Sequence, residues 1–246
     1  MNRREWAKKY SEILQEFNYD RRKDLESTKI LNSILKKKFP THNLEKRIKG
    51  KTVFVIGAGP SLISCIPMLR KYKNITKVVA DGATTALIKN GIRPDIVVTD
   101  LDGDQEFLKK ASNIDAVMVV HSHGDNIEKL PLATDFKYCV GTTEGEPFGR
   151  IDNFGGFTDG DRCVFLAKYF GAKKIILFGM DFGSKIGKYS KTKILDRRIK
   201  LKKLRYGEKL LEWLASKDSS GLYTTSRPIK GFKKLDLSDL KEIVSS

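Results

Sequence analysis

Arg93-Pro94-Asp95-Ile96-Val97-Val98-Thr99-Asp100-Leu101-Asp102-Gly103 is the stretch whose reading decides the fold. A short apolar run follows a Pro-Asp breaker and ends abruptly in two carboxylates, as a buried strand does when it reaches the rim of a sheet. The same pattern recurs on both sides. Val78-Val79-Ala80 leads into Asp81, and Ala116-Val117-Met118-Val119-Val120 leads into His121-Ser122-His123-Gly124-Asp125. In an open parallel sheet, ligands bind beyond the carboxyl ends of the strands. Asp81, Asp100, Asp102 and Asp125 are therefore predicted at one rim. Carboxylates gathered there repel one another unless a cation offsets them. Mg²⁺ takes one or two carboxylates and keeps positions for phosphate oxygens, so the rim suits a metal–nucleotide complex.

Upstream, Thr52-Val53-Phe54-Val55-Ile56 predicts a strand, Gly57-Ala58-Gly59-Pro60-Ser61 a tight turn, and residues 61–71 a helix. This is similar to a nucleotide-binding βα turn whose backbone N–H groups are free to meet phosphate, which makes Gly57, Gly59 and Ser61 candidate nucleotide contacts. The third glycine of a dinucleotide fingerprint is missing, since position 62 is Leu. Strands are further predicted over 77–80, 95–99, 115–120, 136–140 and 174–178, with helices over 83–90, 104–111 and 158–170 between them. Strands alternating with helices mean an α/β fold, here a Rossmann-like, mostly parallel sheet flanked by helices. The loop from Gly141 to Gly156 is long enough to line a site. A helix over 201–215, a last strand near Tyr223 and a polar C-terminal helix complete the chain.

Ahead of the sheet, Trp6, Tyr10, Ile13, Leu14 and Phe17 recur at helical spacing, and a second helical stretch runs from Leu25 to Leu35. We read residues 1–49 as a helical extension, packed on the core or on another subunit as a homo-oligomer contact. Residues 50–246 are predicted to form one α/β domain that carries the rim. The net charge is +17, and it sits in the flanks: residues 1–50 carry 14 Lys/Arg against 7 Asp/Glu, and residues 51–180 carry 16 against 15. No nucleic-acid-binding motif accompanies this charge, so a solvated surface is favoured over nucleic acid as partner. Residues 185–205 hold ten Lys/Arg and one acid, immediately after a strand end. Lys185, Lys188, Lys191 and Lys193 are expected to form a cationic lid over phosphates. No apolar run is long enough for a membrane span, the first residues lack a signal-peptide core, and the three cysteines have no metal-site spacing. These observations predict cytoplasmic residence and reduced, buried thiols.

Asp81-Gly82, with Pro94-Asp95 and Asp100-Leu101-Asp102, resembles the core of the thiamine pyrophosphokinases. Thr99, Gly103 and the block His121-Ser122-His123-Gly124-Asp125-Asn126 depart from that pattern. They resemble instead the archaeal 6-hydroxymethyl-7,8-dihydropterin pyrophosphokinases, as do Gly155-Gly156-Phe157-Thr158-Asp159-Gly160-Asp161-Arg162 and Gly179-Met180-Asp181. The resemblance implies transfer of diphosphate from ATP to a reduced pterin with release of AMP, using Mg²⁺, in folate or methanopterin biosynthesis. It implies Asp100 and Asp102 as metal ligands, with Asp81 and Asp125 completing the site directly or through water. Asp125 or His123 would accept the substrate's hydroxyl proton. His121 and His123 lie two apart, and a transition-metal site from this pair is the lesser reading. The pterin needs a flat wall, from Phe148, Phe154 or Phe157, and acceptors, from Glu144, Asp152, Asn153 or Asp159. Arg162 would point at phosphate or pair with Asp159. Two rivals share parts of this pattern: a metal-dependent nucleotide-sugar glycosyltransferase and a thiamine pyrophosphokinase.

Overall fold

Eight strands pair in the order β5-β4-β3-β2-β1-β6-β7-β8, and every pairing is parallel. The computed structural model describes residues 2–37, 39–190 and 197–245. In chain order the elements are α1 (Arg3–Phe17), α2 (Arg21–Ile34), α3 (His42–Ile48), β1 (Thr52–Ile56), α4 (Leu62–Lys71), β2 (Thr76–Ala80), α5 (Asp81–Lys89) and β3 (Ile96–Thr99). They continue with α6 (Gln105–Asn113), β4 (Val117–His121), a 3₁₀ helix (Ile127–Asp135), β5 (Cys139–Thr142), α7 (Asp159–Tyr169), β6 (Lys174–Phe178), α8 (Arg197–Lys217), β7 (Leu222–Thr224), β8 (Lys233–Lys234) and α9 (Leu240–Ser245). The α/β reading and its parallel sheet are thus found. The strands expected over 115–120 and 136–140 begin later, and β8 has only two residues, too few to give a periodic signal.

The topology has one reversal. The chain steps outward from β1 to β5, then crosses back to lay β6 beside β1. The crevice at such a reversal is where parallel sheets bind ligands.

Alternate strand residues face different helical layers, as the two-residue period of a strand requires. Val53, Val55, Val78, Val98 and Val119 pack with α1, α7 and α8. Phe54, Ile56, Val79 and Phe178 pack with α4, α5 and α9. Val97, Met118 and Val120 pack with α2, α6 and the 3₁₀ helix. The α1–α2 hairpin straddles the β5 side of the sheet. Trp6, Tyr10 and Ile13 enter one layer and Leu31 and Leu35 the other, all buried. Each such burial contributes roughly 1.5–3 kcal/mol. The apolar stripe read as a core or subunit contact is therefore spent on the chain's own core, while the free side of β5 is bridged by the following loop, Asp152 N donating to Gly141 O at 3.0 Å and Thr143 N to Asp152 O at 3.0 Å. Cys65 and Cys163 are buried as expected, whereas Cys139 is half-buried.

Candidate active site

β2, β3 and β4 end side by side, and their last residues build the rim. α5 begins at Asp81 itself, so the carboxylate stands at a helix N-terminus, where the exposed N–H groups favour negative charge. Thr99 Oγ1 donates to Asp81 Oδ2 at 2.6 Å, and the Gly103 amide donates to the same oxygen at 3.1 Å. A Cβ at Gly103 would collide with this carboxylate. The two residues that depart from the thiamine pattern, Thr99 and Gly103, are thus both fitted to Asp81. Leu101 adopts a left-handed backbone, φ 67°, which turns the chain so that Asp100 and Asp102 stay on one side. Asn126 ties this turn to the next strand, its Nδ2 donating to Asp100 O at 2.8 Å and to His121 O at 2.7 Å.

One carboxyl oxygen each from Asp81, Asp100, Asp102 and Asp159 lies within 4.8 Å of the others. Asp159 is the first residue of α7 and reaches the rim from the opposite end of the chain's crossover. It was expected among the pterin acceptors; it stands in the acidic cluster instead. Asp125, expected there, stands outside it. The Asp125 side chain is 65% exposed and faces His123 Nδ1 at 3.9 Å. The cause is the pull of α2 on the loop: Gly124 N donates to Asp24 Oδ1 at 2.8 Å, and this holds the loop against the N-terminal hairpin. Burial, reinforced by the charges of Asp100 and Asp81, pushes the Asp159 carboxyl well above its ordinary range. Four carboxylate oxygens this close are what a hard divalent cation resolves, and an all-oxygen donor set suits Mg²⁺. The residues present fit the metal.

A cleft of about 1040 Å³ of empty space, its open mouth included, runs from this cluster along the reversal between β1 and β6. Lys185, Lys200 and Lys203 line it, together with Tyr19, Phe157, His121, His123, Glu144 and Arg162. Burial pulls the Lys200 ammonium below its ordinary range, while Asp159 and Asp100 pull the other way. Lys188 does not line the cleft; its ammonium lies 5.8 Å from the centre of the Tyr189 ring. Lys191 and Lys193 lie outside the described residues. The described part of this segment does sit on the nucleotide-type turn at Gly187. Gly187 touches the Ala58 carbonyl so closely that a Cβ has no room.

The glycine turn itself differs from the expectation of free donors. Gly57 N donates to Phe178 O at 2.9 Å and Gly59 N to Gly179 O at 2.8 Å. Ser61 N and Oγ both donate to Asp181 Oδ2, at 2.8 and 2.7 Å. A protein carboxylate thus occupies the helix N-terminus where a phosphate was expected. Gly57 and Gly59 form a wall of the cleft, and Ser61 fastens β6 to α4.

The Asp125 amide donates to His123 Nδ1 at 3.2 Å, so the neutral ring carries its proton on Nε2, which faces Asp100 Oδ2 at 3.9 Å. Of the two expected proton acceptors, only His123 lines the cleft, and this tautomer makes it a donor there. The His121 and His123 rings stack at 5.6 Å. His121 Nε2 accepts from Arg162 Nη2 at 2.9 Å. Burial holds the His121 ring well below its ordinary range, hence neutral, and its Nε2 is not available to a transition metal.

Arg162 does not pair with Asp159. Its Nη2 makes a short ion pair with Glu144 and donates to Phe157 O at 3.2 Å. Burial pushes the Glu144 carboxyl up to about 7, against the opposing pull of Arg162. Two expected pterin contacts are structural. Asn153 Nδ2 donates to Glu144 O and Gly145 O, at 2.7 and 2.6 Å, fixing the loop. Phe154 packs in the core against Tyr169, ring centres 4.8 Å apart. Phe148 is exposed and Asp152 lies off the cleft, so Phe157 is the expected aromatic that lines it. Sequence reading missed Tyr19, Lys200 and Lys203. Tyr19 follows the left-handed Asn18 that ends α1, a C-cap visible in sequence but silent about direction.

A family model described as 6-hydroxymethylpterin diphosphokinase MptE-like matches residues 26–187. A 6-hydroxymethyl-7,8-dihydropterin pyrophosphokinase from Methanocaldococcus jannaschii is 43% identical, the match covering 88% of this chain and 97% of the relative. Proteins of the same name from Pyrococcus furiosus and Methanothermobacter thermautotrophicus are 44% and 41% identical, each match covering 85% of this chain and 93% of the relative. Among solved structures, a MAf glycosyltransferase from Magnetospirillum magneticum AMB-1 superposes with a TM-score of 0.59 at 14% identity, covering 91% of this chain and 42% of that one. That likeness is one of fold. The chain belongs to the MptE-like family of 6-hydroxymethylpterin diphosphokinases.

Proposed function

We propose that the chain transfers diphosphate from ATP to the hydroxymethyl group of 6-hydroxymethyl-7,8-dihydropterin and releases AMP, as a step toward folate or methanopterin. The observation that carries this reading is a cluster of four carboxylates, two of which, Asp100 and Asp159, line one cleft with lysine side chains at the sheet's reversal. Asp81, Asp100, Asp102 and Asp159 would hold Mg²⁺, which neutralises phosphate charge when bound. The hydroxymethyl oxygen attacks the β-phosphorus, the bond from that phosphorus to the α–β bridging oxygen breaks, AMP leaves with that oxygen, and the hydroxyl proton passes to water at the open mouth of the cleft. Little covalent work falls to the protein in such a transfer; it positions the reactants and neutralises charge. Lys185, Lys200 and Lys203 supply cationic donors for the diphosphate and the departing AMP. His123 presents Nε2–H beside Asp100, where it can hold a phosphate oxygen. The wall of Tyr19 and Phe157 offers flat surface for the pterin.

The test is a single-turnover reaction with Mg²⁺-ATP and 6-hydroxymethyl-7,8-dihydropterin, resolved by chromatography. AMP and a doubly phosphorylated pterin are expected in equal amounts. Formation of ADP, or equal turnover with thiamine, would overturn the reading.

A further inference from the structure

The cleft also reaches Glu144, a buried residue whose main-chain carbonyl and one carboxylate oxygen are held by neighbours. Trp6 Nε1, from α1, donates to the Glu144 carbonyl at 2.8 Å, and Asn153 Nδ2 donates to the same oxygen at 2.7 Å. Arg162 of α7 grips Oε1 of the side chain. Among the described residues no donor meets Oε2, although the side chain is only 6% exposed and lines the cleft. Nor, among the described residues, does an acceptor meet Arg162 Nε or Nη1; its side-chain bonds there run through Nη2. Buried polar groups are otherwise satisfied as a rule. Glu144 Oε2 and these Arg162 N–H groups are not fully buried, which leaves an acceptor edge and a donor edge open to a ligand carrying the complement.

A continuous polar floor joins this pair to the reacting end. Arg162 meets His121, the His121 ring stacks on His123, and His123 faces Asp100. A flat ligand that reaches from Glu144 to the acidic cluster lies along the two histidine rings, with Tyr19 and Phe157 on the cleft wall.

We propose that Glu144, buttressed by Arg162, reads the amino-substituted edge of the acceptor ring. The ring N–H and exocyclic amino group donate to the Glu144 carboxylate, and the unused N–H groups of Arg162 donate to the adjacent ring carbonyl. The chemical class selected is a bicyclic heteroaromatic with a cyclic guanidine edge next to a carbonyl, its hydroxymethyl arm directed to Asp100. This rests on the function proposed above and assigns its specificity to one side chain. Charge-assisted, two-pronged contacts of this kind give strong and directional recognition. A site built to pair with a donor rejects the analogue lacking it, because its own buried group is then left unpaired.

The experiment titrates wild type and Glu144→Gln, without nucleotide, with 6-hydroxymethylpterin and with the same ring lacking its 2-amino group, following ring fluorescence. Wild type is expected to bind the amino-bearing ring about tenfold to a hundredfold more tightly, the loss of one charge-assisted contact. Glu144→Gln should bind the two rings nearly alike, so that the two deletions together cost little more than either alone. Its KM for ATP should stay within about twofold of wild type. Equal wild-type affinity for both rings overturns the proposal, and this arm needs no variant to fold. If wild type makes AMP with the pterin yet does not discriminate, the assignment to Glu144 falls and the function stands. If wild type neither binds nor converts the pterin, the function falls first.

Discussion

Thr99 donates its hydroxyl proton to Asp81 at 2.6 Å and accepts the Leu101 amide at 2.8 Å, so one side chain sets both the first carboxylate of the cluster and the turn that carries the next two. Thr99→Val keeps the shape and removes both bonds. The Leu101 amide is then left without its acceptor, at about 1–3 kcal/mol of stability. Thermal melting should show that loss, and a Mg²⁺ titration of turnover should reach half-saturation at a higher Mg²⁺ concentration at the same time. A variant as stable as wild type would mean that the hydroxyl orders nothing.

Metal dependence separates the clustered carboxylates from the exposed one. Asp100→Asn, Asp102→Asn and Asp159→Asn should each lower turnover by about a hundredfold or more, as removal of groups that stabilise transition-state charge does. Asp125→Asn should change it by less than about fivefold, since its carboxylate points to solvent. Removal of divalent cations with a chelator should abolish AMP formation, and added Mg²⁺ should restore it. Activity that survives chelation would remove the metal from the site.

Two lysines of the same loop should behave differently. Lys185 lines the cleft and Lys188 does not. Lys185→Ala is expected to raise the KM for ATP by about tenfold, on the order of one lost charge-assisted bond. Lys188→Ala should leave it within about twofold. Equal effects would assign the loop's charge to long-range attraction in place of contact.

The acceptor should bind better as pH rises through about 7, where Glu144 loses its proton. Burial raises this carboxyl, with Arg162 opposing, and Asp24, His123 and Asp161 also act on it; Tyr10 of α1 feels its charge in turn. The sign follows from the chemistry: only the carboxylate offers acceptors alone, so protonation below about 7 sets a donor against the ring's donors. The same raised value means that this group favours folding most below its ordinary range, and that this contribution is lost as pH rises toward about 7. Acceptor dissociation constants measured across that window, in wild type and in Glu144→Gln, should converge at low pH. A flat wild-type profile would show that another group holds the ring.

Asp81, Asp100 and Asp102 are legible in the amino-acid sequence, because each stands where an apolar run stops, and a parallel strand must leave its carboxyl end at one rim. The strand–helix alternation is legible for the same local reason. So is the burial stripe of α1. The sequence alone therefore determines most of the strands, three of the four clustered carboxylates and the rim on which they stand.

Which distant residues join that rim is a matter of tertiary structure. Asp159 enters because the chain crosses back to place β6 beside β1 and starts α7 at the cluster. Asp125 leaves because Asp24, from a helix far away in sequence, takes the amide of Gly124. Gly57, Gly59 and Ser61 lose their free donors because Asp181 and the end of β6 arrive at the same turn. Lys200, Lys203 and Tyr19 face the cleft through the packing of α8 on the N-terminal hairpin, where Lys203 lies 5.4 Å from the centre of the Tyr19 ring. Local periodicity fixes where a strand ends. Only the order in which strands pair decides which loops then share one volume.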